Sequence, residues 1–409
     1  MDKNSRSFFS GQSAANLAPE PAYIPVNNYI EPESPEAPQP LEPTHVAPDS
    51  DSAPKGPKQP WYKKIAGKLT KKQWIIVGIV AALLIIGGVI FALTRPHTAK
   101  PVAKVAEQPS APIIITSPLT GRVVSAGDAK RPVTGVMIEN SDFARPQSGL
   151  KEAGVVFEGI AEAGITRFLA LYQEAKPSSI GPVRSVRPYF LQWAMGFDAP
   201  LAHVGGSPEA LQDMKNWHAR DLDQFYNSAY YHRISTRFAP HNMYTSMANL
   251  DAAKKSHHWT SSNFTGFARK KAEPAKTPTA KSIDFSISSA DFSVHYKYDA
   301  KKNAYKRFMA GTPHTDAKTG KQLEPDVVIA LVIPYKLEGD GYHSDYDTIG
   351  SGKMYVFQDG TVTKGTWKKT GNKKQFEFLD KTGKAIELNP GQTWISAVDA
   401  TNKVTYGAK

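Results

Sequence analysis

The sequence predicts a membrane-anchored protein whose α/β (or α+β) ectodomain is followed by a smaller, mainly antiparallel β domain. Three observations lead there: an uncharged apolar stretch at 74–93, alternating strand and helix patterns over 113–268, and period-two strands with recurrent turn signals over 282–409. With 409 residues the chain is long enough for two or three domains. It contains no cysteine. That excludes disulfides, cysteine-ligated zinc or iron–sulfur centres, cysteine nucleophiles and a lipobox lipid anchor.

Residues 1–60 hold 12 prolines, and seven acids between Glu20 and Asp51. So little aliphatic surface cannot offset the entropy of ordering, and a disordered cytoplasmic tail is expected. Residues 61–73 form a basic juxtamembrane stretch. Residues 74–93, WIIVGIVAALLIIGGVIFAL, would span about 30 Å as a helix, the thickness of a bilayer's hydrocarbon core. Before the span lie Lys55, Lys58, Lys63, Lys64, Lys68, Lys71 and Lys72; after it lie only Arg95, Lys100 and Lys104. The positive-inside rule then places the N-terminus in the cytoplasm and 94–409 outside the plasma membrane. Gly78 and Ala82 offer a small-xxx-small pair through which two such helices could form a homodimer. Residues 94–112 read as a stalk. The net charge of +12 is partly this flanking basicity, which argues against a nucleic-acid partner.

Past residue 113 the texture becomes globular. Thr134–Ile138, Val155–Ile160 and Ile165–Tyr172 read as strands, the last two joined through Ala163-Gly164. Pro188–Met195 and Pro208–Trp217 read as helices, Pro200–Val204 as extended chain, and Tyr244–His257 as a further helix. The Lys/Pro/Thr-rich stretch 269–281 reads as a linker. Beyond it, Phe292, Val294, Tyr296 and Tyr298 alternate with polar residues, Val327–Ile333 is a buried-strand run, and Asp359-Gly360, Gly371-Asn372 and Thr382-Gly383 mark the turns of a meander.

The chemistry-bearing stretch is 139–242, with Arg145, Arg167, Arg184, Arg187, Arg237, His203 and His241. Arginine's planar fork suits bidentate binding of phosphate or carboxylate. GPVRSVR (181–187) sets two arginines where a strand gives way to a helix, whose N-terminus favours an anion. The alternative is internal ion pairing with Glu139, Glu158 and Glu162. Ser207 in HVGGSPEAL lies in G-x-S-x-E rather than a nucleophile elbow and fits a helix cap. His203, on an apolar strand, fits a satisfied core histidine as well as a ligand-binding one. There is no HExxH, P-loop or dinucleotide fingerprint.

PVTGVMIEN, ARPQSGL, GITRFLALY, IGPVRSVRPYF, HVGGSPEAL and FAPHNMY, in that order, with LNPGQTWI near the C-terminus, resemble the YerB-like family of bacterial envelope proteins, a family of unknown function. The resemblance covers roughly 115–400 and implies an extracytoplasmic location and a two-part architecture, without an activity. Its members are commonly lipoproteins, whereas this chain offers a transmembrane helix in place of a lipobox cysteine. A fainter likeness is to the LytR-CpsA-Psr glycopolymer transferases. ENSDFAR is similar to their first motif, offering Asp142 and Arg145; GITRF is similar to the second, offering Arg167; GPVRS is similar to the third, offering Arg184. Phe168, Leu169 and Ser185 stand where that family's metal-holding acids would be, which implies binding more than transfer.

These features converge on a single-pass envelope protein whose outer domain binds an anionic, phosphate-bearing cell-wall or lipid-linked ligand. Arg145, Arg167, Arg184, Arg187, His203 and His241 are the candidate ligand-binding residues, and no cofactor is expected. The enzymatic alternative is a transferase or hydrolase of a wall precursor, with Asp142 or Glu162 as base or ligand of a divalent metal. The third reading is a non-catalytic scaffold, in which each arginine is paired and buried.

Overall fold

Ala163 and Gly164 both take positive φ, 48° and 76°, and close a tight hairpin between two strands of matched length. That hairpin lies within the ten-stranded sheet of the computed structural model, which describes residues 70–94 and 114–409. The expected tail, most of the basic stretch and the stalk lie outside the described residues. Helix α1 (Lys71–Thr94) contains the predicted apolar span and is long and apolar enough to cross a membrane. The remainder, Ala106–Lys409, forms one compact unit.

That unit opens with the short helix α2 (Ala126–Ala129). Five strands follow: β1 (Thr134–Glu139), β2 (Val155–Glu162), β3 (Ile165–Tyr172), β4 (Leu201–His203) and β5 (Asp221–Asp223). Helices α3 (Pro188–Met195) and α4 (Pro208–Asn216) flank β4. The small pair β6 (His232–Arg233) and β7 (Met243–Tyr244) precedes α5 (Met247–Ser256). The expected helix from Tyr244 therefore starts three residues later. Tyr244 pairs with His232, and the Ser246 hydroxyl caps the helix by accepting from Asn249 N. Ser207 caps α4 in the same way, accepting from Ala210 N.

After residue 281 come β8 (Ser282–Ser286), β9 (Ser293–Asp299), β10 (Ala304–Met309), β11 (Thr312–Pro313), β12 (Val327–Val332), β13 (Tyr335–Leu337) and β14 (Ser344–Tyr346). The last are β15 (Gly350–Gln358), β16 (Thr361–Lys369), β17 (Glu377–Leu379), β18 (Thr393–Val398) and β19 (Val404–Gly407). Among the described residues these build a ten-stranded sheet, β17-β16-β15-β12-β18-β2-β3-β1-β4-β5, and a five-stranded antiparallel sheet, β11-β10-β9-β8-β19.

The large sheet takes strands from both sides of the expected 269–281 boundary. β18 lies parallel to β2 on one side and to β12 on the other, while the five-stranded sheet forms the separate antiparallel β part. The stretch 269–281 is not a free linker. Arg269 bridges to Leu388, Lys270 pairs with Asp359 at 2.5 Å, and Ala280 is fully buried. Its Lys/Pro/Thr composition follows from a path over the surface, where the backbone borrows partners from Gly360 and Leu388.

Register assigns the two faces. Glu139, Arg167 and Gly159 align across β1, β3 and β2, while Phe168, Glu158 and Ser396 align on the opposite face. Phe157 and Gly159 receive Trp193 of α3. The other face receives the five-stranded sheet, whose Phe285 meets Phe357. Between the sheets, with neither side chain exposed, Arg307 Nη2 donates to both carboxylate oxygens of Glu158, at 2.9 and 3.0 Å. Trp394 Nε1 and Ser396 Oγ donate to the same carboxylate, and the guanidinium lies 4.2 Å from the Trp394 ring centre.

Candidate functional site

β12, β18, β2, β1, β4 and β5 run in one direction. Their C-terminal ends therefore share one edge of the sheet, where Glu139 ends β1, Glu162 ends β2, His203 ends β4 and Asp223 ends β5. Arg167, near the start of antiparallel β3, faces Glu139. The segment 180–187 crosses the same edge, pinned by the bridges Ile138–Val183 and Val186–Gly206, and delivers Arg184, Ser185 and Arg187. In open α/β sheets this carboxyl edge is where ligands bind.

Glu162 is the hub. Arg167 donates to its Oε1, and Arg187 to its Oε2 at 2.7 Å. Ser185 draws the same two arginines together: its carbonyl and hydroxyl accept from Arg167 at 3.0 and 3.2 Å, and its hydroxyl from Arg187 at 3.1 Å. Burial alone would raise the Glu162 pKa, but Arg167 and Arg187, with Arg184 further off, hold it below the usual carboxylate range. For Arg187, burial and the neighbouring Arg167 lower the pKa against the pull of Glu162.

Glu139 anchors the second half of the site. Its Oε1 pairs with His241 Nδ1 at 2.7 Å and accepts from the Ser141 hydroxyl at 2.8 Å. Arg184 Nε approaches that oxygen only to 3.9 Å. The Arg184 side chain is 27% exposed, against 1% for Arg167 and 7% for Arg187. Among the described residues it donates no hydrogen bond.

Four buried polar atoms here, Glu139 Oε2 and the Nε atoms of Arg167, Arg184 and Arg187, make no hydrogen bond to protein. Such atoms are few in native interiors, and each calls for a partner. Three guanidiniums against two carboxylates leave the cluster net positive. With both Glu162 oxygens occupied by guanidiniums, the residues present do not fit a divalent cation, and no metal step follows from them.

Of the expected ligand-binding set, Arg167, Arg184, Arg187 and His241 come together. Arg145 does not. It donates to Asn140 Oδ1 at 3.1 Å and Asp142 Oδ1 at 2.7 Å, and lies over the Phe292 ring at 5.0 Å. The alternation of extended chain turns Asn140 to the face opposite Glu139, and Arg145 goes with it. Asp142 is exposed and paired with Arg145, whereas Glu162 is buried between Arg167 and Arg187. The arrangement that the transferase likeness implied, Asp142 and Arg145 beside Arg167 and Arg184, is absent among the described residues.

His203 is a satisfied core histidine. Its Nδ1 donates to the Gly205 carbonyl at 2.8 Å and its Nε2 pairs with Asp221 at 3.0 Å. Burial opposes its charge, but Asp221, Asp223 and that carbonyl outweigh burial and raise its pKa. A cavity of about 760 Å³ lined by Met195, Phe264, Phe267, Phe376 and Phe378 lies elsewhere; none of the site arginines lines it. Sequence reasoning missed Ser141 and Ser185 as positioning groups, since lone serines carry no spacing signal.

Residues 119–260 match the N-terminal domain, and 283–395 the C-terminal domain, of the protein of unknown function DUF3048. A protein of Bacillus subtilis (strain 168) named "Putative lipoprotein YerB" is 31% identical over 288 residues, which are 69% of this chain and 86% of its own. The crystal structure of the YerB protein from Bacillus subtilis has a TM-score of 0.64 at 29% identity, covering 71% of this chain and 99% of that one.

Proposed function

The chain belongs to the DUF3048 family, and from that premise we propose that it is a single-pass envelope protein whose outer unit binds an anionic, phosphate-bearing ligand at Arg184. The observation that carries the reading is the set of unpaired donors. Arg184 is half-open to solvent, and the Nε atoms of Arg167, Arg184 and Arg187 are buried without protein partners at the carboxyl edge of the parallel strands. Arg167 and Arg187, fixed by Glu162, supply positive potential from behind, while Arg184 and His241 meet the ligand. The ligand is a component of the envelope such as a wall polymer or a lipid-linked phosphate. Helix α1 serves as the anchor where YerB is named a lipoprotein, because this chain has no cysteine to carry a lipid.

Nearly all of the solved YerB chain corresponds to 71% of this one, so the unit Ala106–Lys409 is suited to study without α1. Titrating it with inorganic pyrophosphate tests the site. Arg184→Ala should cost about 1.5–3 kcal/mol in binding, and Arg184→Lys should restore only part, since lysine keeps the charge and loses the fork. Binding should weaken with salt. Equal binding by wild type and a folded Arg184→Ala would favour the scaffold reading, which draws support from the buried pairing of Arg167 and Arg187 with Glu162. Orientation is tested by external protease on spheroplasts, which should digest the outer unit and spare an N-terminal tag.

A further inference from the structure

Among the described residues outside α1, the strongly exposed phenylalanines are Phe143, Phe225 and Phe238, at 76%, 69% and 90%. All three lie on loops at the edge that carries Arg184. The Phe143 ring sits 5.4 Å from that of His241. Arg237 donates to the carbonyls of Phe143 and Pro146 at 3.2 and 2.7 Å, and His241 N donates to Phe238 O at 2.9 Å. The loops after β1 and β6 are thus tied together. Phe225, in the loop after β5, covers Gly205, whose carbonyl receives Val186 N beside Arg184.

Exposing three phenyl rings to water is unfavourable, and grouped exposed rings mark an interaction surface. The rings stand among the guanidiniums of Arg184, Arg233 and Arg237. The exposed acid of these loops, Asp142, is already paired with Arg145. The neighbouring β13–β14 hairpin carries Glu338, Asp340 and Asp345, so the excess of basic groups does not extend onto it.

We infer that this surface docks on an anionic phospholipid bilayer, with Phe143, Phe225 and Phe238 entering the headgroup–acyl boundary and Arg184, Arg233 and Arg237 taking lipid phosphates. Phenylalanine favours a lipid over a sugar partner: it has no hydroxyl or N–H to satisfy sugar hydroxyls, and it gains from leaving water. Positive charge complements the anionic headgroups. Fewer than twenty residues separate Thr94 from Ile114, so the chain that carries this surface also carries its own long apolar helix. The inference rests on the reading of Arg184 as an anion site and adds to it a hydrophobic contact that soluble phosphate does not use.

The test is sedimentation of Ala106–Lys409 with vesicles of phosphatidylcholine containing phosphatidylglycerol, against pure phosphatidylcholine. The unit should pellet with the anionic vesicles, and each Phe→Ser change should weaken pelleting about tenfold. The triple variant should still bind pyrophosphate in solution, whereas Arg184→Ala should lose both. For the full chain in anionic nanodiscs, Phe238→Cys labels uniquely because there is no native cysteine; an environment-sensitive dye there should shift to an apolar signal. No pelleting, pelleting undiminished in the triple variant, or capture by purified wall polymer without vesicle binding would each overturn the lipid surface. If pyrophosphate binding survives those outcomes, the anion site stands without it.

Discussion

Replacing Glu162 with glutamine keeps the shape of the side chain and removes the charge between two guanidiniums. The side chains involved are 9%, 1% and 7% exposed, so solvent screens the loss little. Breaking a buried pair by removing one partner is worth about 3–5 kcal/mol, because the charge left behind is uncompensated. Here two arginines are left, and the glutamine NH₂ group points a donor at one of them. For a unit of this size, about 2 °C of melting temperature accompanies each kcal/mol. Glu162→Gln in Ala106–Lys409 should therefore melt about 6–10 °C below wild type by circular dichroism. Acid adds a second signature. The folded Glu162 pKa is depressed, so its contribution is present above the unfolded carboxylate value near ~4.3 and is lost as pH falls through the lower folded value. Wild type should lose this increment on acidification, and the variant should have none to lose. A variant melting within about 2 °C of wild type would refute the hub.

The buried pair between the sheets should be as unforgiving: Arg307→Ala strands Glu158 and should destabilise by about 3–5 kcal/mol in denaturant titration, with Arg307→Met recovering part. The His203–Asp221 pair should give a basic limb. The raised His203 pKa means its contribution is complete below about pH 6.5 and is lost as pH rises through the folded value, so the gap between wild type and Asp221→Asn in thermal melts should narrow above that value. Residues 269–281 should resist limited proteolysis in the native unit, since Arg269, Lys270 and Ala280 are all docked; early cleavage there would show the segment to be loose.

Local structure was legible where a turn or a cap is written in adjacent residues. Ala163-Gly164, Ser207-Pro208 and the alternation Phe292–Tyr298 each announce their element. Pairing between distant segments was not. Nothing in Thr393–Val398 says that it lies beside Val155–Glu158, because period two fixes which side chains share a face and not which strand is the neighbour. The site shows the same division. The arginines stood out by residue type, and Glu139, Glu158 and Glu162 as possible partners, but which acid meets which arginine depends on the sheet. Glu162 took two of them, Glu158 took Arg307, and Arg145 turned away because one step along an extended chain changes the face.

The placement of β18 bears on how the protein is made. Strand β18, Thr393–Val398, sits in the middle of the ten-stranded sheet, between strands that begin at residues 155 and 327. During synthesis or export, β2 and β12 emerge long before the strand that joins them, and each keeps an open flank until the end. Contacts of such long sequence separation form late and slowly. The sheet therefore stays open until residues 393–398 are available, and a stop codon just before residue 393 would remove the strand that joins β2 to β12.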